Sequence, residues 1–397
     1  MFTLAEFQTL CRTDVRESIA ANIGRNPVSI ALDSHIAEAS TVATQVKRLQ
    51  RASRKLPSFR AALAILPPRA YEQSSSEACA ARKGLSGVSV LDLTCGLGVD
   101  ALALSRRFER VVAVERDEVL AMTARENFAR LGVTNIAVVC ASAEEYLRST
   151  TEHFDWCFVD PDRRDENGAR KVRLEECSPD VTALRSRIGE VAERLCIKCS
   201  PLFDVGEAFR LFGDCRVESV SIGGECKEVN IYIDGSMRSI AAVAIGSDGS
   251  ERLFEAPAPV QSEWCGEVRD VAEYRYLTLP DAALQHSRLV AACFAGKADV
   301  WSDNSVALSV AEPSGTPGRT FAVREVLPFN EKALRKRLKG RRVEIMQRDF
   351  PLSNAAICSR LGVREGGTER WCFARVGGRC FAFGLEDAGA KGAESTE

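Results

Sequence analysis

A chain of 397 residues exceeds one typical domain, and its 45% hydrophobic content supports genuine cores. The net charge of -2 excludes a global field that would draw the molecule to nucleic acid, so any such binding must come from local patches. No apolar run reaches the roughly 18 residues a membrane helix needs, and the amino terminus carries acids where a signal peptide would be uninterruptedly apolar.

The expected compartment is therefore a reducing cytoplasm, in which the 15 cysteines are thiols. Cys140, Cys157, Cys196, Cys199 and Cys226 lie in apolar, strand-like runs where cysteine acts as a small hydrophobe. Cys196 and Cys199 form a CxxC, but within a strand they face opposite sides, so no metal site is expected. Residues 1–84 read as helical, with apolar residues at helical spacing over Phe2 to Ala21, Ala37 to Arg54 and Phe59 to Leu66. Arg48, Arg51, Arg54 and Lys55 form a basic face, readable as solvated helix surface or as an RNA contact. Pro67-Pro68 ends the pattern before the polar segment Tyr71 to Lys83.

Val88 to Leu104, VSVLDLTCGLGVDALAL, reads as a buried strand with Asp92 at its carboxyl end, a turn at Gly96 and Gly98, and a helix start. Glycines between a strand and a helix let the backbone approach a ligand closely. Arg110 to Glu115 is a second strand ending in an acid about 20 residues on, where a carboxylate meets ribose hydroxyls. The spacing of Asp92, Gly96, Gly98 and Glu115 resembles the cofactor site of the Rossmann-fold, S-adenosylmethionine-dependent methyltransferases. From Val88 onward strands and helices alternate, which predicts an α/β, doubly wound parallel sheet.

In that fold the chain entering the first strand lies across the methionine end of the cofactor, which makes Gln73, Ser75 and Ser76 candidate contacts. The competing reading is a helix N-cap with Glu77 nearby. A helix is expected over Asp117 to Leu131, ended by Gly132, and a third strand over Asn135 to Cys140. Ser142 and Glu144 follow at the edge where the resembled fold holds adenine. The fourth strand, FDWCFVD, ends in Asp160-Pro161-Asp162-Arg163-Arg164, at the crevice where a methyl acceptor must sit. There Asp160 is the candidate acid and Pro161 stiffens the turn. Arg163 and Arg164, with Arg170, Lys171 and Arg173, either hold a phosphate-bearing or acidic substrate or pair with neighbouring acids. The DPDRR turn departs from the (D/N)PP(Y/F) of enzymes that methylate base amines. Cys199 stands at the edge where a pyrimidine carbon-5 enzyme offers its thiol, without an accompanying proline–cysteine pair.

Leu195 to Cys199 is the expected fifth strand, and Ser200 to Asp204 a loop over the site. Arg216 to Ile222 and Lys227 to Ile233 fit a closing hairpin about Gly223-Gly224, with Ser236 to Ile245 as a further strand. Composition turns to Gly, Ser, Pro and acids over Ser247 to Glu267, and PSGTPG at Pro313 to Gly318 is a second linker. Between them, Tyr274 to Ala311 fits a small α+β unit with a helix over Ala282 to Cys293. Thr320 to Phe383 reads strand, helix, strand, helix, strand, strand. Lys332, Arg335, Lys336, Arg337, Lys339, Arg341 and Arg342 are seven bases in eleven residues, a solvated helix face or a phosphate-backbone contact. The tail from Glu386 has no large apolar residue to pack and is expected to be disordered.

Three pieces together resemble one family: EQSSSEACAARK, DLTCGLGVD with DPDRR, and VEIMQRDFPLSNAAICSRLGVREGGTERWCF. They resemble bacterial class I methyltransferases with a THUMP-like carboxyl domain preceded by a small ferredoxin-like insert. The resemblance implies a helical region over 1–84, a methyltransferase domain over 85–248, a linker and small ferredoxin-like α+β unit over 249–318 and a THUMP-like domain over 319–386, which leaves the tail over 387–397. It implies S-adenosylmethionine as cofactor and RNA as substrate. By motif it assigns Asp92, Gly96, Gly98 and Asp100 to the cofactor loop, Glu115 to ribose, and Asp160 with Pro161 to the acceptor side. Lys336, Arg337 and Arg341 are the candidate RNA contacts. Two rival readings are an RNA-binding protein on a non-catalytic methyltransferase scaffold, and a methyltransferase of a small acidic molecule or a protein.

Overall fold

The computed structural model describes residues 2–162, 173–246, 248–261, 263–266 and 270–388. The chain divides into two compact units, one of residues 1–203 with 230–236, the other of residues 204–229 with 237–397.

The first unit opens with helices, as the apolar spacing requires. Thr3 and Glu6 form a capping box that starts the helix Leu4–Cys11. The expected helix over Phe2 to Ala21 divides at Arg12, whose extended backbone ends the first helix and caps Thr13–Asn22. The helix Ala39–Lys55 buries Val42, Val46, Leu49 and Ala52, one stripe at three- and four-residue steps. Helix is observed only over Pro57–Ala61 where Phe59 to Leu66 was expected. Leu63 turns into the left-handed region, and Ala64, Ile65 and Leu66 are buried in non-helical backbone. That backbone is held by Asn127, which accepts from the Ile65 N–H at 2.7 Å and donates to the Ile65 carbonyl at 2.9 Å.

The strands of this unit are β1 (Gly87–Asp92), β2 (Phe108–Glu115), β3 (Ile136–Cys140), β4 (Phe154–Val159) and β5 (Ala192–Cys199). They form a parallel sheet in the order β3-β2-β1-β4-β5. Helices Val99–Leu104, Glu118–Arg130, Ala143–Ser149 and Val181–Val191 alternate with them. The order runs outward from β1 to β3 and then resumes on the other side of β1 with β4. A reversal of that kind opens a crevice at the carboxyl ends of β1 and β4. One hydrophobic core joins the amino-terminal helices to this sheet, with Leu49, Phe59, Val90, Val111 and Phe158 in a single cluster. Cys140 departs from the expected small-hydrophobe role: it is exposed at the end of β3.

In the chain following, β6 (Arg216–Ile222), β7 (Glu225–Ile233), β8 (Ser239–Ile245) and β9 (Glu251–Pro257) appear in order. Residues 230–233 of β7 belong to the first unit and the rest of these four strands to the second. β6 and β8 pair parallel, and β8 and β9 antiparallel. The second unit also holds a seven-stranded sheet. Its strands are β10 (Tyr276–Pro280), β11 (Ala307–Ser309), β12 (Gly318–Pro328), β13 (Arg342–Arg348), β14 (Arg364–Glu365), β15 (Glu369–Val376) and β16 (Arg379–Asp387). They lie in the order β11-β10-β12-β16-β15-β13-β14.

Two expectations differ here. Among the described residues of 249–318, β9 pairs with β8, while β10 and β11 join the sheet of β12. The helix over Ala282 to Cys293 is two short ones, Ala282–His286 and Val290–Phe294, because Arg288 takes a left-handed φ of 56°. Both faces of the second sheet are core. Along β15, Trp371 and Phe373 enter one cluster with Leu334, Leu338, Ile357 and Leu361 of the helices Glu331–Leu338 and Asn354–Leu361. Cys372 and Ala374 enter the other, with Tyr274, Leu277 and Phe383.

Candidate active site

β1 delivers Asp92 into the interior with no solvent exposure. Its Oδ1 accepts from the Thr94 N–H at 2.9 Å, and its Oδ2 has no partner among the described residues. Burial pushes this carboxyl up to about 8; the Thr94 bond opposes the rise, and the charges of Asp100, Asp160 and Glu115 add to it. The turn that follows needs glycine twice. Gly96 and Gly98 have φ of 55° and 87°, and a Cβ on Gly98 would stand 2.5 Å from Cζ of Phe128. The Gly96 N–H donates to Oε2 of Glu115 at 2.8 Å, and the Asp117 N–H to Oε1 at 2.9 Å. The strand-end carboxylate is thus oriented by backbone at both oxygens. Burial nonetheless holds the Glu115 carboxyl above its ordinary range.

Asp100 sits in the first turn of Val99–Leu104, buried. It accepts from Oγ of Ser75 at 2.7 Å and from Nζ of Lys83 at 2.6 Å. Burial works to raise its carboxyl, but the charges of Lys83 and Lys198 prevail and hold it below the usual range. Asp160, just past β4, donates its N–H to Oγ1 of Thr94 at 2.6 Å and accepts from Nζ of Lys198 through its carboxylate. Burial raises the Asp160 carboxyl, and Lys198 only partly offsets the rise. Lys83 also lies over the Phe158 ring, 5.6 Å from its centroid. Sequence reasoning missed both lysines. The available signal was a lysine inside the apolar run of β5, LCIKC, where an ordinary charge has no reason to be buried.

Asp92 and the three acids that act on it, with two buried lysines, therefore gather at the carboxyl edge of β2, β1 and β4. The family model "THUMP domain-like" matches residues 318–384, and "Conserved hypothetical protein 95" matches residues 75–175. A crystallised candidate methyltransferase from Porphyromonas gingivalis W83 superposes with a TM-score of 0.80 at 23% identity, over 98% of this chain and 100% of that one. This is the fold of the class I, S-adenosylmethionine-dependent methyltransferases. An uncharacterised S-adenosylmethionine-dependent methyltransferase of Mycobacterium tuberculosis H37Rv is 28% identical over 298 residues, 74% of this chain and 79% of that one. A tRNA/tmRNA (uracil-C(5))-methyltransferase of Neisseria meningitidis is 31% identical over 152 residues, 32% of this chain and 41% of that one.

The residues present fit the cofactor of this methyltransferase fold. Asp92 Oδ2 is a buried acceptor without a partner among the described residues, and the Gly98 position has no room for a side chain. Around this centre the other candidates are distributed unevenly. Ser75 is in the buried cluster through Asp100. Ser76 caps the helix Glu77–Arg82, accepting from the Cys79 N–H at 3.2 Å, while Glu77 bonds Ser58. Gln73 is exposed and accepts from Arg69 at 3.3 Å. Ser142 forms a capping box with Glu145, and Glu144 is exposed in the same turn. Pro161 is buried beside Asp160, and Arg163 and Arg164 lie outside the described residues. Cys199 is buried at the end of β5.

In the second unit Lys336 is exposed. Arg337 pairs with Glu325 at 2.6 Å, and Arg341 with Glu369 at 3.2 Å. Among the described residues, no group of three or more His, Cys, Asp or Glu is placed to hold a metal, and no helix is long and apolar enough to cross a membrane.

Proposed function

We propose that this chain is an S-adenosylmethionine-dependent methyltransferase that acts on RNA. The observation that carries the reading is the Glu115 carboxylate, fixed by the Gly96 and Asp117 amides at the end of β2 beside the buried Asp92. When bound, the cofactor supplies a sulfonium-activated methyl group. Glu115 would accept the ribose hydroxyls, and the Gly96–Gly98 turn would admit the methionine portion against bare backbone. Ser75 and Asp100 would meet its amine, and Gln73 and Ser76 are the outer candidates at that end. Ser142 and Glu144 are proposed beside the adenine.

Asp160 is proposed to orient the acceptor and take its proton. Lys198 holds that carboxylate in place from β5, and the Asp160 N–H bond to Thr94 ties the turn back to β1. Pro161 stiffens the same turn, and Arg163 and Arg164 are proposed to hold substrate phosphate. RNA as acceptor is supported by the THUMP-like match over 318–384, since such domains bind structured RNA in the resembled family, and by the tRNA/tmRNA enzyme among the relatives.

The test is calorimetric binding of S-adenosylmethionine, followed by transfer of tritiated methyl to total bacterial RNA. Binding with labelled RNA is the expected result; absence of binding would overturn the reading. Asp160→Ala should keep cofactor affinity and lower turnover by about 100-fold or more, and equal turnover would remove its assigned role.

A further inference from the structure

An open, polar surface pocket of about 670 Å³ lies within the second unit, at the carboxyl ends of β13 and β15 and far along the chain from the acid cluster. Arg348 and Arg375 line it, together with Gln285, Asn304, Gln347 and Phe350. Arg348 ends β13 opposite Ala374 of β15, so Arg375 is one register step on and the two side chains leave opposite faces of the sheet at the strand ends that border the pocket. Neither has an ion pair among the described residues, and both leave Nε–H buried without an acceptor. The printed bond of Arg348 runs from Nη1 to the adjacent Gln347 carbonyl. Other arginines of this unit behave differently: Arg324, Arg337, Arg341 and Arg370 each face a glutamate.

Both arginines line this one pocket without an ion pair among the described residues, a setting that suits an anion such as a phosphate. Asp349, on the exposed rim in a left-handed turn, contributes one negative charge against these two positive ones. The other walls offer a different chemistry. Three side-chain amides present both donors and acceptors, the currency of a base edge. The Phe350 ring is fixed by Phe329 and Phe373, with centroids at 5.0 and 5.7 Å.

We propose that this cavity binds a nucleotide, with Arg348 and Arg375 on its phosphate and Gln285, Asn304 and Gln347 against its base. Its source is either an unpaired nucleotide of the RNA substrate or a free mononucleotide. The first alternative deepens the reading given above and rests on it.

The full-length chain is titrated with a labelled single-stranded hexaribonucleotide by fluorescence anisotropy, and with UMP and inorganic phosphate by calorimetry. Arg348→Gln and Arg375→Gln should each weaken hexamer binding about tenfold and lower the slope of log affinity against log salt by about 1. S-adenosylmethionine affinity and thermal midpoint should stay unchanged in both. If native protein binds UMP but no RNA, and the arginine variants lose UMP, the cavity stands as a free-nucleotide site while the RNA reading fails. If native protein binds and methylates RNA and both variants match it in affinity and slope, the cavity assignment alone fails. Binding of neither hexamer nor UMP overturns it as well. Should the arginine variants not fold, Asn304→Ala on the exposed rim carries the test: it should weaken the hexamer severalfold with the salt slope unchanged, and native affinity would overturn the base contact.

Discussion

Burial raises the Asp92 carboxyl to about 8 in the folded chain, whereas an unfolded aspartate titrates near about 3.9. Between those values the native state keeps a proton that the unfolded state has released. The contribution of Asp92 is therefore fully present below the unfolded value and is lost as pH rises through the folded one. Asp92→Asn, neutral at every pH, should remove this part of the decline. The check is the difference in thermal midpoint between about pH 5 and about pH 8, smaller in the variant; an equal fall in both proteins would remove Asp92 as its cause. Glu115 has a different role, as an acceptor held in place. Glu115→Ala should weaken S-adenosylmethionine binding about tenfold or more, through loss of charge-assisted bonds worth about 1.5–3 kcal/mol. Unchanged calorimetric affinity would sink the ribose assignment.

Among the elements, the helix Glu118–Arg130 does more than cover the sheet. Through Asn127 it supplies the backbone partners of Ile65, so a buried non-helical segment of the amino-terminal region depends on a side chain 62 residues later. Asn127→Ala would leave an N–H and a carbonyl unpaired in the core and should destabilise the chain by about 2–4 kcal/mol. Chemical denaturation measures this, and a loss below about 0.5 kcal/mol would mean that the segment finds other partners. The same pair shows where sequence reading runs out. β1, its glycine turn and the acid closing β2 were legible because strand, turn and carboxylate follow one another within a short stretch. The helix Phe59 to Leu66 was misread because its apolar spacing is equally good for a buried segment stapled by a distant asparagine. Lys83 was illegible for a related reason, while for Lys198 the apolar run LCIKC was the one local sign. Their partners lie 17 and 38 residues away, and only the folded crevice gives a buried lysine its meaning. The helix Ala282 to Cys293 carried a correct amphipathic pattern, and nothing local marked the left-handed turn at Arg288.

For the whole molecule, a net charge of -2 means that any RNA affinity is decided by how each basic group is compensated. The stretch from Lys332 to Arg342 contains no acid, yet neighbouring strands bring acids to it: Glu325 of β12 meets Arg337, and Glu369 of β15 meets Arg341. Lys336→Gln should therefore lower RNA affinity and its salt slope more than Arg337→Gln or Arg341→Gln, by about one counterion. Filter binding at several salt concentrations reads this, and equal slopes for all three would show that the glutamates release their arginines when RNA binds. The alternation along β15 bears on the same question. Trp371 and Phe373 are claimed by one core, Cys372 and Ala374 by the other, and β13 and β16 divide likewise, with Ile345 and Ala382 on one side, Met346 and Phe383 on the other. A sheet used up in this way cannot serve as an open platform on which bases stack in a row. A polymer gripped by this half of the molecule would have its bases met away from the sheet faces, at helix surfaces, strand termini and loops, which favours recognition of a terminus or a turned-out residue over the stacking of a long flat strand.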